Sequence, residues 1–146
     1  MRKILTWRGG LLLLTAFLLV FVSRMANVQA HKEKHTPEQL KAFQDVFMEQ
    51  VRLGDLLFHG DGDTEKKLGV SLSRTGMACA MCHPFASDTH PHEFPKFQEQ
   101  MQEFATLRDM INWCIENPNE GEKIDDSGPA MKALEAYTYW SNRGSR

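Results

Sequence analysis

The strongest constraint on this chain is five residues long: Cys79-Ala80-Met81-Cys82-His83, a C-x-x-C-H motif. Two thiols with two residues between them match the two vinyl groups of a porphyrin. An imidazole directly after the second thiol reaches the iron from the proximal side. The motif predicts one covalently attached haem c, bonded by Cys79 and Cys82 and ligated by His83. A chain that carries this group must close around a flat apolar plate, and the plate supplies core that a short domain lacks. Two other readings compete. A redox dithiol wants a βαβ context, which the sequence does not offer. A zinc site needs two more ligands, which Cys114 with His90 or His92 would supply.

Residues 1–30 read as a secretory leader. Arg2, Lys3 and Arg8 form a basic start, Leu11 to Val22 is mainly Leu, Phe and Val, and Val28-Gln29-Ala30 has small residues at the cleavage positions. Cleavage after Ala30 is expected, leaving His31 first and placing the protein in the periplasm. The uncharged window from Gly9 to Ser23 is about 15 residues, short of the roughly 20 a spanning helix needs. Membrane association is therefore expected only if the leader stays uncleaved. The division is a signal peptide at 1–30, a flexible N-terminus at 31–36 and one folded domain at 37–146.

Charge narrows the function further. The chain holds 17 basic and 19 acidic residues, and Arg2, Lys3, Arg8 and Arg24 all fall in the leader, which has no acid. The domain that remains is acidic, which argues against a nucleic-acid partner. Nine Phe, three Trp and two Tyr exclude disorder throughout, and three Cys exclude a multi-bridged disulfide scaffold.

The pattern of apolar residues predicts helices. Thr36-Pro37-Glu38-Gln39 is a capped start, followed by Leu40, Phe43, Phe47 and Val51 on one stripe, with Leu56-Leu57-Phe58 at or near the end. Gly60 and Gly62 break this helix, and Asp61, Asp63 and Glu65 read as a hydrated turn, since the run lacks the length of a calcium loop. Residues 69–95 show no helical period, and Lys96 to Phe104 reads as a short helix. Thr106 caps a further helix with Leu107, Met110, Ile111 and Cys114 on one face, stopped by Pro118. Ser127-Gly128-Pro129 opens a last helix with Met131, Leu134 and Thr138 in line. No β-alternation stands out. The expected fold is all-α, with 3–4 helices and long loops around one haem.

Cysteine arithmetic singles out Cys114. Two thiols are used by the haem, so the third is odd in an oxidising compartment. It is a distal iron ligand, a buried apolar-like thiol or half of an intermolecular disulfide. Met101, Met110, Met131, His90 and His92 are the other distal candidates, with Met131 the main alternative to Cys114.

With these residues in place, the chain resembles a monohaem cytochrome c domain. Gly54-Asp55-Leu56-Leu57-Phe58 is similar to the end of that family's N-terminal helix, and Met131 to Tyr137 to its C-terminal helix. Leu107 to Cys114, Gly121 and Met131 to Trp140 are similar to the haem domains of thiosulfate dehydrogenases and of the thiosulfate-oxidising cytochrome of the Sox system. The resemblance implies that Cys114 ligates the iron and that Met131 packs. The sulfur-oxidising relatives carry an arginine one helical turn before that cysteine; here Met110 stands there and Arg108 falls on another face. The expected function is therefore electron carriage to a redox partner, another cytochrome or a respiratory complex. Oxidation of thiosulfate or another sulfur anion is the alternative, and assembly within a larger complex a third reading.

Overall fold

The computed structural model describes residues 34–144, so the expected leader and cleavage site lie outside the described residues. A compact unit begins at Pro37. Its helices are α1 (Pro37–Phe58), α2 (Gly62–Leu68), α3 (Cys79–Cys82), α4 (Leu107–Glu116) and α5 (Pro129–Ser141). Two 3-10 turns, Ala86–Thr89 and Pro91–Glu93, follow α3. Strands β1 (Lys96–Gln98) and β2 (Glu103–Ala105) pair antiparallel, Phe97 opposite Phe104. Among the described residues, no helix is long and apolar enough to cross a membrane.

The three long helices stand where their apolar periods and caps put them. Thr106 closes a full capping box on α4, its hydroxyl accepting from the Asp109 N–H while the Asp109 carboxylate accepts the Thr106 N–H at 2.8 Å. Pro129 opens α5 at the position where its missing N–H costs nothing. Burial along α1 starts only at Val51, and Leu40, Phe43, Val46 and Phe47 remain exposed. The apolar stripe is thus longer than the core it serves.

Two expectations are corrected. The segment expected to be a helix between Lys96 and Phe104 is a hairpin. Its Gln102 takes a left-handed φ of 56°, which a helix cannot contain. The supposed turn at Asp61–Glu65 is instead the start of α2. Asp61 caps it by accepting from the Thr64 N–H at 2.9 Å, and Gly69 ends it at φ 67°. The glycines do break the first helix, but the aspartate between them begins another.

The core joins Leu57 and Phe58 of α1, Ile115 of α4, and Ala130, Met131, Ala133 and Leu134 of α5. Helices α1 and α5 cross at Gly54, where an added Cβ would lie 2.0 Å from the Ala133 carbonyl oxygen and 2.6 Å from the Tyr137 Cβ. No side chain fits there. Rings of Phe58 and Tyr137 meet beside the crossing with centroids 5.4 Å apart.

A second tie fixes the loops. The Gly121 N–H donates to Ile115, the Glu122 N–H to Ser71 and the Arg74 N–H to the Asn119 carbonyl. Gly121 passes so close to Leu72 that a Cβ would sit 2.4 Å from its carbonyl oxygen. Buried Asn112 adds reciprocal bonds to the backbone of Ile124, each 3.0 Å. The strand of chain entering the Cys79 motif is thereby fastened to the loop leaving α4.

Gly54→Ala is expected to cost about 3 kcal/mol, the upper part of the overpacking range, because one wall is backbone and cannot yield. Denaturant unfolding checks it, with an unchanged midpoint as the contrary result. Hydrogen bonds from Thr64, Thr106 and Ser127 hold the carboxyls of Asp61, Asp109 and Asp125 below their ordinary 3.8. A depressed folded-state value gives stability present above 3.8 and lost as pH falls beneath it. Acid titration of unfolding is expected to show this loss below about pH 4, and Asp109→Asn to remove part of that dependence.

Candidate haem site

One cavity of about 450 Å³ lies among these elements, within the roughly 300–1,000 Å³ usual for cofactor sites. Phe58 of α1 and Leu134 and Thr138 of α5 line it beside the crossing. The C-x-x-C-H segment contributes Cys79, Cys82 and His83, and α4 contributes Met110, Ile111, Trp113 and Cys114. Asp88, Thr89, Phe94, Lys96 and Gln98 form a further wall from the loop and hairpin.

The short helix α3 explains how the motif is presented. One helical turn carries both thiols, and the His83 N–H closes it on the Cys79 carbonyl at 2.9 Å. None of the three cysteines is paired in a disulfide, and all three line the same cavity. Burial pushes Cys79 up to about 11, with Cys114 nearby adding to the effect; burial also pushes Cys114 up to about 11, with Cys82 adding. The cavity suits a porphyrin: two thiols for thioether bonds, an adjacent imidazole for iron, and apolar side chains for the ring.

Of the other distal candidates, Met131 is fully buried in the core cluster and does not line the cavity. Met110 does, and its sulfur accepts an N–H from Gln98 at 3.1 Å. His90 and His92 are exposed and outside the lining, and half-buried Met101 is outside it too. Arg108 is tied to Glu135 of α5 at 2.8 Å. The wall made by Thr89, Phe94, Lys96 and Gln98 has no periodic signal.

A family model for the SoxA/TsdA cytochrome c domain matches residues 71–146. The chain belongs to that family. The match takes in the C-x-x-C-H motif, the Cys114 helix and α5, so this SoxA/TsdA-type domain carries covalently bound haem c and has the small all-α cytochrome c fold. Among solved structures it is similar to thiosulfate dehydrogenase (TsdBA) from Marichromatium purpuratum, with a TM-score of 0.53 and 20% identity. That likeness covers 80% of this chain but only 26% of the other, so the present chain spans about a quarter of that protein. No curated protein matches the SoxA/TsdA-type chain.

Cys79→Ser with Cys82→Ser is expected to abolish covalent attachment. Acidified organic solvent should then extract the pigment, which stays with the polypeptide in the unchanged protein; equal retention by the double variant would contradict the assignment.

Proposed function

We propose that this is a periplasmic electron-carrying cytochrome whose iron is bound by His83 and, on the distal side, by Cys114. The observation that carries the reading is the presence of His83 and the Cys114 thiol on the lining of one cavity, with Met131 sequestered in the core. The haem supplies one-electron ferric–ferrous chemistry when bound. Phe58, Leu134, Trp113 and Thr138 line the cavity that would hold it and would exclude water there, and α4 holds Cys114 on a helix braced at both ends. To ligate, the Cys114 thiol would have to give up the proton that burial alone keeps on it, and the charge of the iron would favour that loss. An anionic sulfur donor favours the ferric state, so the potential should lie below that of His/Met ligation.

The compartment rests on the leader read from residues 1–30 and on the cysteine logic. An acidic domain is steered to a basic face on its redox partner, another cytochrome or a respiratory complex.

Sulfur-anion oxidation is the second reading, because the similar solved structure is a thiosulfate dehydrogenase. The cavity argues against it. Among the described residues Lys96 is the cation in its lining, and that amine is paired with Glu93 at 2.6 Å. Arg108 is likewise committed to Glu135, and Met110 offers an anion nothing. No thiosulfate turnover is therefore expected, and steady consumption of thiosulfate would favour the enzyme.

Low-temperature electron paramagnetic resonance on the ferric protein tests the ligand. Cys114→Ala is expected to change the low-spin signal and raise the midpoint potential on the order of 0.1 V, a fraction of the roughly 0.8 V that axial ligation spans. Met131→Ala should leave the signal unchanged. If the signal survives Cys114→Ala but is lost in Met110→Ala, the distal ligand is the thioether that Gln98 holds at the cavity wall.

A further inference from the structure

Beyond the haem site, one cluster on the described surface has the chemistry of a second metal centre. His90, His92 and Glu93 are exposed, and one ligand atom from each lies within 4.8 Å of the other two. We propose that these three side chains form a surface site for a divalent transition metal such as zinc.

The backbone brings them together. His90 joins the two 3-10 turns in a left-handed conformation, φ 47° and ψ 53°, and the Glu93 N–H donates to its carbonyl at 3.0 Å. Pro91, between the histidines, is buried and anchors the segment while both imidazoles stay in solvent. The two rings stand 6.0 Å apart at 71° to one another. The amide nitrogen of Asn142, at the end of α5, lies 3.1 Å from Nδ1 of His92; with that amide turned, its Oδ1, which has no other partner, accepts the Nδ1–H and leaves Nε2 for the ion.

Two imidazoles and a carboxylate are a donor set that zinc accepts, at metal–ligand distances of about 2.0–2.2 Å. Donors around one such ion sit roughly 3–4 Å from each other, so rotamer adjustments of exposed side chains suffice to close the present cluster. Water completes the shell. Lys96 competes for the carboxylate, its amine lying 2.6 Å from Oε2 of Glu93 and leaving the other oxygen for the ion.

The site matters because of where it sits. Thr89, Phe94 and Lys96, immediately before and after the cluster, line the haem cavity. An ion bridging His90, His92 and Glu93 would pin that wall, which has no helix or long strand to stiffen it.

The test is calorimetric titration of tag-free holoprotein with zinc, in which Cys79 and Cys82 are already consumed by thioether bonds. One equivalent is expected, together with a raised unfolding temperature. The His90→Ala/His92→Ala double variant should lose at least tenfold in affinity while its absorption spectrum stays unchanged. Glu93→Gln should weaken binding severalfold, and Lys96→Ala should tighten it by freeing the carboxylate. His59→Ala is the control and should bind as the parent does. Zinc-edge absorption spectroscopy should report two imidazole ligands. Absence of binding by the parent protein, or unchanged affinity in a folded double variant, overturns the proposal, and neither outcome bears on the iron ligands.

Discussion

Backbone contact between two helices at Gly54 is the constraint on which the rest of the architecture depends. With a hydrogen in place of a side chain, α1 comes close enough to α5 for the Ala133 carbonyl to occupy the space of a Cβ. Phe58 lies one turn further along α1, Leu134 and Thr138 follow along α5, and all three form part of the cavity lining. The separation of the helices therefore sets the position of the haem pocket's inner surface. Packed protein transmits such a displacement instead of absorbing it.

The remaining walls are held by a different means. Neither the segment from Leu72 to Ala78 nor the loop after α4 has an apolar face of any length. They are joined by backbone hydrogen bonds around Gly121 and by the Asn112 side chain. Because those bonds tie the approach to Cys79 to the exit from the Cys114 helix, the motif and the third thiol share one cavity although 35 positions of sequence separate Cys79 from Cys114. The loops are not slack connections; they set the register between the two sulfur-bearing elements.

Much of this was legible in the residues. C-x-x-C-H announces its chemistry directly, and α1, α4 and α5 are marked by apolar periods and by Thr106, Pro37 and Pro129. What was not legible had physical causes. A three-residue strand such as Lys96–Gln98 is too short for alternation to separate it from a helix, and its pairing with Glu103–Ala105 is a tertiary fact. Asp61 between two glycines satisfies turn and cap equally, and only the Thr64 hydrogen bonds decide. Met131 and Met110 look alike as sulfur donors on helices. Which one reaches a cavity depends on the roll of each helix against its neighbours, and burial assigns Met131 to the core.

Burial also explains how Cys114 can persist as an odd thiol. In an apolar cavity the thiolate loses its hydration, so the proton is held up to about 11 and the reactive anion is rare at neutral pH. Disulfide exchange and oxidation are suppressed on that ground alone. If Cys114 ligates as proposed, the charge of a ferric ion would reverse that balance, acting on the same sulfur through the same poorly screened surroundings. Under the proposed ligation, a site that protects the free thiol from solvent chemistry would also strengthen its bond to iron. Inertness of the free thiol and the proposed ligation to iron would then draw on one property of the pocket, its low polarity.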